Sequence, residues 1–338
     1  MSAQAVGIDL GKTTFHLVAL DSTGQVVEKK KCSRPQLLRR MSNLSAHVVG
    51  MEACAGAHWL AQALTQQGHH VRLLPPQYVR PYVKTNKNDF VDAEAIAEAV
   101  QRPTMRFVAI KTEAQLDLQA LHRTRQRWMG RRTALINQIR SFLLERGIAV
   151  RVGPAWLRKQ MPALLANENG TLSGSLLNLL AELWQEWLQL EERIERANQS
   201  LRATAEQDPG CQRLLSIPGI GLLTATALVA AIGNGGTFRK GRDLAAWLGL
   251  VPRQHSTGGK TKLLGISKRG NAYLRQLFVH GARAVFFHLK REPHRMGHWL
   301  NQLSARKRTS TVIVAMANKL ARIAWAVLVR GQPYQATA

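Results

Sequence analysis

The chain has 338 residues, with 47 Lys or Arg against 21 Asp or Glu, a formal charge of +26 and a pI near 11.2. An excess of this size is a polyanion footprint and argues against a metabolic enzyme for small neutral substrates. At 45% hydrophobic residues the chain can build real cores, so it is not a disordered basic tail, and at roughly 100–200 residues per domain it is expected to form two or three domains.

The first part reads as strands joined by tight turns and then helices. Apolar runs at 5–9, 14–21 and 25–31 predict three strands in meander, the last two joined by Ser22-Thr23-Gly24. Ser33 with Pro35 predicts a helix start. Strands follow at 46–51 and 71–74, with helices at 57–67 and 92–101. Three hairpin-joined strands followed by helix, strand, helix, strand, helix is the order of a RuvC or ribonuclease-H-like α/β domain, expected at residues 1–111.

The middle, 112–208, reads as helical. Residues 112–146 have few breakers and carry Arg123, Arg125, Arg127, Arg131, Arg132 and Arg140. Residues 175–205 hold Leu176, Leu180, Leu183, Trp187, Leu190, Ile194 and Leu201 at an approximate heptad spacing. A coiled-coil pair is expected, with the Gly-, Pro- and Asn-rich stretch 147–174 as a loop or hairpin tip. After Asp208-Pro209-Gly210 comes a mostly helical C-terminal domain, 209–338, with helices expected at 268–288, 296–305 and 311–330 and a polar loop at 252–265.

The N-terminus shows no signal peptide, and the best apolar run, 309–329, is interrupted by Lys319 and Arg322, so no membrane segment is expected. Cys32, Cys54 and Cys211 are odd in number and form no CxxC pair, which fits a reducing cytoplasm.

The charge is unevenly shared. Residues 1–100 hold 11 basic and 8 acidic residues, 101–160 hold 13 and 3, 161–238 hold 4 and 8, and 239–338 hold 19 and 2. A carboxylate metal site therefore belongs to the first part. Asp9 ends the first strand, Glu52 ends the fourth, and Asp89 and Asp92 are three apart at a helix start, a spacing that shares one face. Four hard oxygen donors suit Mg²⁺ or Mn²⁺, and two such ions about 4 Å apart clamp the attacking and leaving oxygens of a phosphodiester. Singly, each residue also reads as a turn or N-cap residue. Gly7 to Thr13 lacks the first glycine of a Walker A loop. It matches the Asp-x-Gly-x-Thr of sugar kinases, but no later phosphate and adenosine loops accompany it.

In the C-terminal part Ser256 stands among glycines near Arg253, Lys260, Lys262 and Lys268, followed by Arg269. Such a loop grips a phosphate, with Ser256 either a hydrogen-bond donor or a nucleophile. Ile217-Pro218-Gly219-Ile220-Gly221 reads as the turn of a helix-hairpin-helix module whose amides hold a backbone phosphate, or as a plain tight turn. His294 and His298 lack a third metal ligand, and Trp184, Trp187, Trp247, Trp299 and Trp325 read as packing residues.

Taken together, Gly7-Ile8-Asp9-Leu10-Gly11-Lys12, Gly50-Met51-Glu52-Ala53-Cys54, Asn88-Asp89-Phe90-Val91-Asp92-Ala93-Glu94-Ala95, Trp247 through Ser256, and Gly265-Ile266-Ser267-Lys268-Arg269-Gly270-Asn271 give a sequence that resembles transposases of the IS110 family, IS1111 group, over nearly its whole length. The resemblance implies an Asp-Glu-Asp-Asp set carried by Asp9, Glu52, Asp89 and Asp92. It implies a serine, here Ser256, that links transiently to DNA, with Thr257 where many relatives have a second serine. It further implies an element-encoded structured guide RNA, DNA ends and target as partners, and a homodimer or homotetramer in which Ser256 is delivered from another subunit. The competing readings are a Holliday-junction-type nuclease that hydrolyses with water and a non-catalytic nucleic-acid-binding protein.

Overall fold

The structure is a computed structural model that describes residues 3–84, 88–168, 170–290 and 295–335. The chain divides into two compact units, Met1–Thr112 and Glu113–Ala338.

The first unit is built on a five-stranded sheet. β1 (Ala3–Leu10), β2 (Thr14–Leu20) and β3 (Val26–Ser33) form an antiparallel meander. Helix α1 (Arg34–Ser42) returns the chain to β4 (Ala46–Glu52), which lies parallel to β1 on its other side. Helix α2 (Ala57–Gln66) leads to β5 (Val71–Leu74), giving the order β3-β2-β1-β4-β5. Ser33 caps α1, its amide donating to Gln36 Oε1 at 2.8 Å. A short turn of helix, α3 (Pro76–Val79), which the sequence reading did not anticipate, precedes α4 (Asp89–Ala99).

Strand alternation decides which residues face which layer. Val6, Ile8, Leu17, Val49 and Met51 pack against Leu37, Leu60 and Leu64 of α1 and α2. Ala5, Val48, Val18 and Leu20 face the opposite way and pack against Ala93, Ile96 and Ala97 of α4. Gly7 and Gly50 share the α4 side. A Cβ on Gly7 would collide with the Ala93 carbonyl and lie 2.5 Å from the Ala97 amide, and one on Gly50 would lie 2.9 Å from Val100 Cβ. Backbone of helix and strand therefore touch directly at Gly7.

The second unit is helical apart from one ribbon. Helix α5 (Glu113–Leu144) and α7 (Gly174–Gln207) run antiparallel, with Leu135, Ile139 and Leu143 packed against Leu176, Leu180 and Trp187. The expected loop at 147–174 instead contains a further helix, α6 (Pro154–Ala166), because Leu157 and Met161 are spaced to bury in that same core. Helices α8 (Pro209–Leu215), α9 (Leu222–Ile232), α10 (Gly241–Trp247), α11 (Ala272–His288), α12 (Arg295–Ser304) and α13 (Thr309–Arg330) share a second core around Leu228, Leu248, Phe278 and Leu320. Among the described residues α13 alone is long and apolar enough to cross a membrane, and half of its most apolar stretch is buried inside the unit.

The expected polar loop at 252–265 is a β-hairpin, β6 (Pro252–Thr257) and β7 (Lys260–Ile266), turned by Gly258-Gly259 with φ of 55° and 75°. Two adjacent residues at positive φ make the tight turn that matches ribbon twist, so a Gly-Gly pair is its natural sequence.

His122 on α5 is almost wholly buried between two helices. Its Nε2 lies 3.0 Å from Thr226 Oγ1 on α9 and its Nδ1 3.1 Å from the Tyr273 hydroxyl on α11. Thr226 donates to the Leu222 carbonyl, so it accepts from Nε2–H, and Tyr273 donates to Nδ1. Burial, helped by Arg125, pushes the imidazole down to about 4.

Two outcomes are expected. Gly7→Ala forces α4 off the sheet and costs about 1–3 kcal/mol in denaturant unfolding. Below pH 6.5 the unfolded chain takes up a proton at His122 that the folded chain refuses until about pH 4, so stability falls as pH drops through that window. Between pH 7 and pH 5 the wild type should lose roughly 2 kcal/mol more than His122→Gln. Equal slopes for the two proteins would refute this account of the buried imidazole.

Candidate functional site

In the first unit the parity that puts Gly7 and Gly50 against α4 also puts Asp9 and Glu52 on that side, one step further along each strand. β1 and β4 pair with Gly7 opposite Gly50 and Ile8 opposite Met51, so Asp9 and Glu52 sit at the same level. Helix α4 begins at Asp89, earlier than the sequence pattern predicts, because Asn88 is the N-cap: its side chain accepts from the Phe90 amide at 2.9 Å. Neither Asp89 nor Asp92 is used as the cap. Both lie in the first turn of a helix pressed onto β1, facing the strand ends.

The four carboxylates feel one another. Burial first, then Asp89 and Asp92, hold the Asp9 carboxyl above its ordinary range. Burial first, then Asp9 and Asp92, do the same for Glu52. Mutual repulsion of this kind, with oxygen donors on half-buried strand ends, is the setting that a divalent cation relieves. The donor set fits Mg²⁺ or Mn²⁺.

The site also includes His16, a residue the sequence reading missed. It pairs directly with Asp9 across β1 and β2, and its Nδ1 is 3.4 Å from Asp89 Oδ2. One ligand atom each from Asp9, His16 and Asp89 lies within 4.8 Å of the others. The signal was available: even-numbered β2 residues share the α4 face, and His16 is the one titratable side chain among them. Its ring is held edge-on against Phe90, with centroids 4.7 Å apart. Cys54, exposed beyond β4, has its thiol raised by burial and by Glu52 and Asp9.

In the second unit Ser256 lies on the hairpin, where every residue of β6 is exposed. Gln254 Nε2 donates to Ser256 Oγ at 2.7 Å. Cross-strand pairing places Ser256 opposite Thr261 and Gln254 opposite Leu263, which form one face. Thr257 pairs with Lys260 and His255 with Lys262, which form the other. The cations expected around Ser256 are thus divided by strand alternation: Lys260 and Lys262 share a face with Thr257. Arg253 lies at a register irregularity at the ribbon's base.

Lys268 and Arg269 follow the ribbon and are exposed. Lys268 takes a φ of 55° and donates its amide to the Gly249 carbonyl at 3.1 Å. A Cβ on Gly249 would lie 2.7 Å from the Arg269 amide, and Gly270 packs on the Trp247 carbonyl. Arg275 Nη1 ties the Leu248 and Arg269 carbonyls together, both at 2.9 Å. These glycines clamp the ribbon's base by backbone crossing.

Gly219 and Gly221 occupy the turn between α8 and α9, with different demands. Gly219 has φ of 86° and lies against Gly281 of α11, whose carbonyl would be 2.8 Å from a Cβ. Gly221 is the N-cap of α9, and a Cβ on it would meet nothing within 4 Å. Several α5 arginines are already engaged: Arg131 with Glu186 at 2.7 Å, Arg132 with Glu191 at 3.2 Å, Arg125 with Asn198 at 2.7 Å, and Arg140 with the Val150 and Arg151 carbonyls. His294 lies outside the described residues, and His298 contacts Gln302.

A carboxyl raised on folding favours the folded state at low pH, and that contribution is lost as pH rises through the folded value. Metal-free chain at neutral pH therefore carries the repulsion of Asp9 and Glu52. Asp9→Asn is expected to melt above wild type in EDTA. Mg²⁺ should raise the wild-type melting temperature, by roughly 4–8 °C per kcal/mol of linkage in a unit of this size, and leave Asp9→Asn nearly unmoved. An equal Mg²⁺ shift in both proteins counts against this cluster as the metal site.

Residues 6–147 match a DEDD-type transposase family named for IS110, and residues 211–296 match the family described as Transposase IS116/IS110/IS902 family. The chain is 44% identical to the transposase for insertion sequence element IS1328 of Yersinia enterocolitica, covering 96% of this chain and 97% of that one. It is 42% identical to the transposase for insertion sequence element IS1111A of Coxiella burnetii, covering 98% and 91%. It is 25% identical to a pilin gene-inverting protein of Moraxella lacunata, covering 99% and 98%. The chain belongs to the IS110/IS116/IS902 family of transposases, in its IS1111 group.

Proposed function

We propose that this transposase cleaves and rejoins DNA at element ends and target through two sets of residues: Asp9, Glu52, Asp89 and Asp92 as the metal-holding set, and Ser256 as the nucleophile. The observation that carries the reading is the convergence of the four carboxylates on one face of the sheet, where they repel one another. Divalent cations held there supply charge neutralisation at a scissile phosphodiester.

Ser256 Oγ forms a bond to phosphorus and displaces a DNA hydroxyl. After strand exchange a second DNA hydroxyl displaces the serine. Each step makes one P–O bond and breaks one, so no ATP is consumed. Gln254 donates to Ser256 Oγ, fixing its position while leaving the hydroxyl proton unclaimed. Arg253, Lys268 and Arg269 serve as phosphate contacts near the ribbon's base, with Lys260 and Lys262 on its opposite face and the Gly219–Gly221 turn as a separate contact.

An element-encoded structured RNA as guide, and a dimer or tetramer in which one copy's serine serves another's carboxylates, follow from the family resemblance. We assign 1–111 to the metal-dependent cut, 112–208 to the helical region and 209–338 to the serine domain.

Recombination-site DNA separates the serine route from hydrolysis. Wild type should give a protein–DNA adduct that survives denaturing electrophoresis. Ser256→Ala and Asp9→Ala should each lower recombination by on the order of 10³-fold or more, while Thr257→Ala retains it. Full recombination by Ser256→Ala, with Asp9→Ala inactive, would falsify the serine nucleophile.

A further inference from the structure

Helix α13 has one buried apolar face and a second, mixed face. Val312, Met316, Leu320 and Ala324 face the core of the second unit. A second stripe, Val314, Ala315, Asn318, Lys319, Arg322 and Ile323, is only partly covered and floors a cleft of about 1140 Å³. The start of α10 forms one wall, where Gly241 lets the helix abut the α13 backbone: a Cβ there would lie 3.0 Å from the Arg322 carbonyl. The base of the serine hairpin, with Leu250, Pro252 and Ile266, forms another wall, and Trp299 of α12 a third.

The charges in this cleft have one sign. Lys240, Arg242, Lys319 and Arg322 line it, and among the described residues no carboxylate does. Lys319 Nζ rests 4.3 Å from the centroid of the Trp299 indole, which fixes the ammonium at the wall. Burial first, then Arg322 and Arg295, hold Lys319 below the ordinary ammonium range. The uncapped first turn of α13, with Ser310 and Thr311, opens into the same space after Arg306, Lys307 and Arg308.

A surface that sets apolar side chains (Val314, Ala315, Ile323, Trp299) beside cations matches a polymer that has both exposed flat apolar rings and regularly spaced phosphates. Duplex DNA hides its ring faces in the stack, whereas an unpaired strand presents them. We propose that this cleft binds a short single-stranded segment of nucleic acid, with bases against the α13 stripe and Trp299 and phosphates on Lys240, Arg242, Lys319 and Arg322. The assignment rests on the reading that the second unit handles nucleic acid, and it names the form of substrate handled there. From the hairpin base, Ser256 is four residues along β6, about 13 Å, and the cleft-lining Leu264 and Ile266 share the β7 face of Lys260 and Lys262.

The test is fluorescence anisotropy of the full chain with labelled oligo-dT and oligo-rU of about 12 nucleotides and with duplex DNA, at about 0.15 M salt. The variants are Trp299→Leu, the double Lys319→Gln/Arg322→Gln, and Lys319→Arg as the conservative control, with thermal melts to confirm folding. Expected are losses of about fivefold for Trp299→Leu and about tenfold for the double variant on single strands, smaller losses on duplex, and near-wild-type binding by Lys319→Arg. Weakening with oligo-dT alone assigns the occupant as DNA, with oligo-rU alone as RNA, and with both as either strand. The proposal is overturned if folded variants bind single strands as wild type does, or lose duplex affinity equally. It is also overturned if they change only the oligomeric state, which would make the cleft a protein–protein face. Asp9→Asn should keep single-strand binding, so failure of the cleavage reading and failure of the cleft are separately visible.

Discussion

The direct contact between α4 and the β1 backbone at Gly7 is the constraint on which the first unit depends. With no side chain on Gly7, the helix lies against the strand at backbone distance, and its first turn reaches the strand ends where Asp9 and Glu52 project. A spacer of even one methyl group would lift Asp89 and Asp92 away from that edge. The same approach brings Phe90 against His16, so the histidine is gripped by the helix whose acid it meets. Close packing and the acidic cluster are thus one arrangement: the cost of crowding four acids is borne by a helix that cannot retreat without uncovering Ala93, Ile96 and Ala97.

The second unit repeats the device with different partners. Gly249 and Gly270 let two segments cross at the ribbon's base, Gly219 meets Gly281 between α9 and α11, and Gly241 brings α10 onto α13. Each contact replaces side-chain packing with backbone packing, which has no rotamers and tolerates little play. The polar clamp of His122, Thr226 and Tyr273 adds three helices tied through one imidazole. The result is a stiff helical body from which a single exposed ribbon emerges.

Much of this was legible in the residues. Period-two alternation over 5–9 and 48–52 is enough to put Asp9 and Glu52 on one face, and the meander followed by helix and strand gives the sheet order. Asp89 and Asp92 were legible as a pair but not as non-caps, since Asn88 competes for that role and only backbone geometry shows which side chain takes the amide. His16 escaped notice because a lone histidine in an apolar strand has no pattern of its own; its meaning comes from the residue across the pair. The hairpin was hidden by composition: Gly-Gly flanked by Ser, Thr and Lys reads as loop until the glycines are seen as a two-residue turn. Helix α6 was obscured by Pro154 and Gly153, which mark a helix start as readily as a loop. The α5 arginines add to the basic excess of 101–160, but several are spent on α7 and on the 150–151 carbonyls, a pairing that needs the partner helix to be in view.

The ribbon carrying Ser256 has no buried residue on β6 and none on β7. Two strands alone in water are only marginally ordered, so the stiff body holds the ribbon's root while its outer half has little besides its own ladder to hold it. Reactivity at such a tip is conditional. Off substrate the hydroxyl is held by the Gln254 amide, with no buried neighbour on its strand to support it. On the proposed reading, a polyanion held by the lysines on its other face would give the ribbon a second surface to pack on and the hydroxyl a direction. If Ser256 is the nucleophile we propose, it would in this way stay harmless until the strands to be joined are already in place.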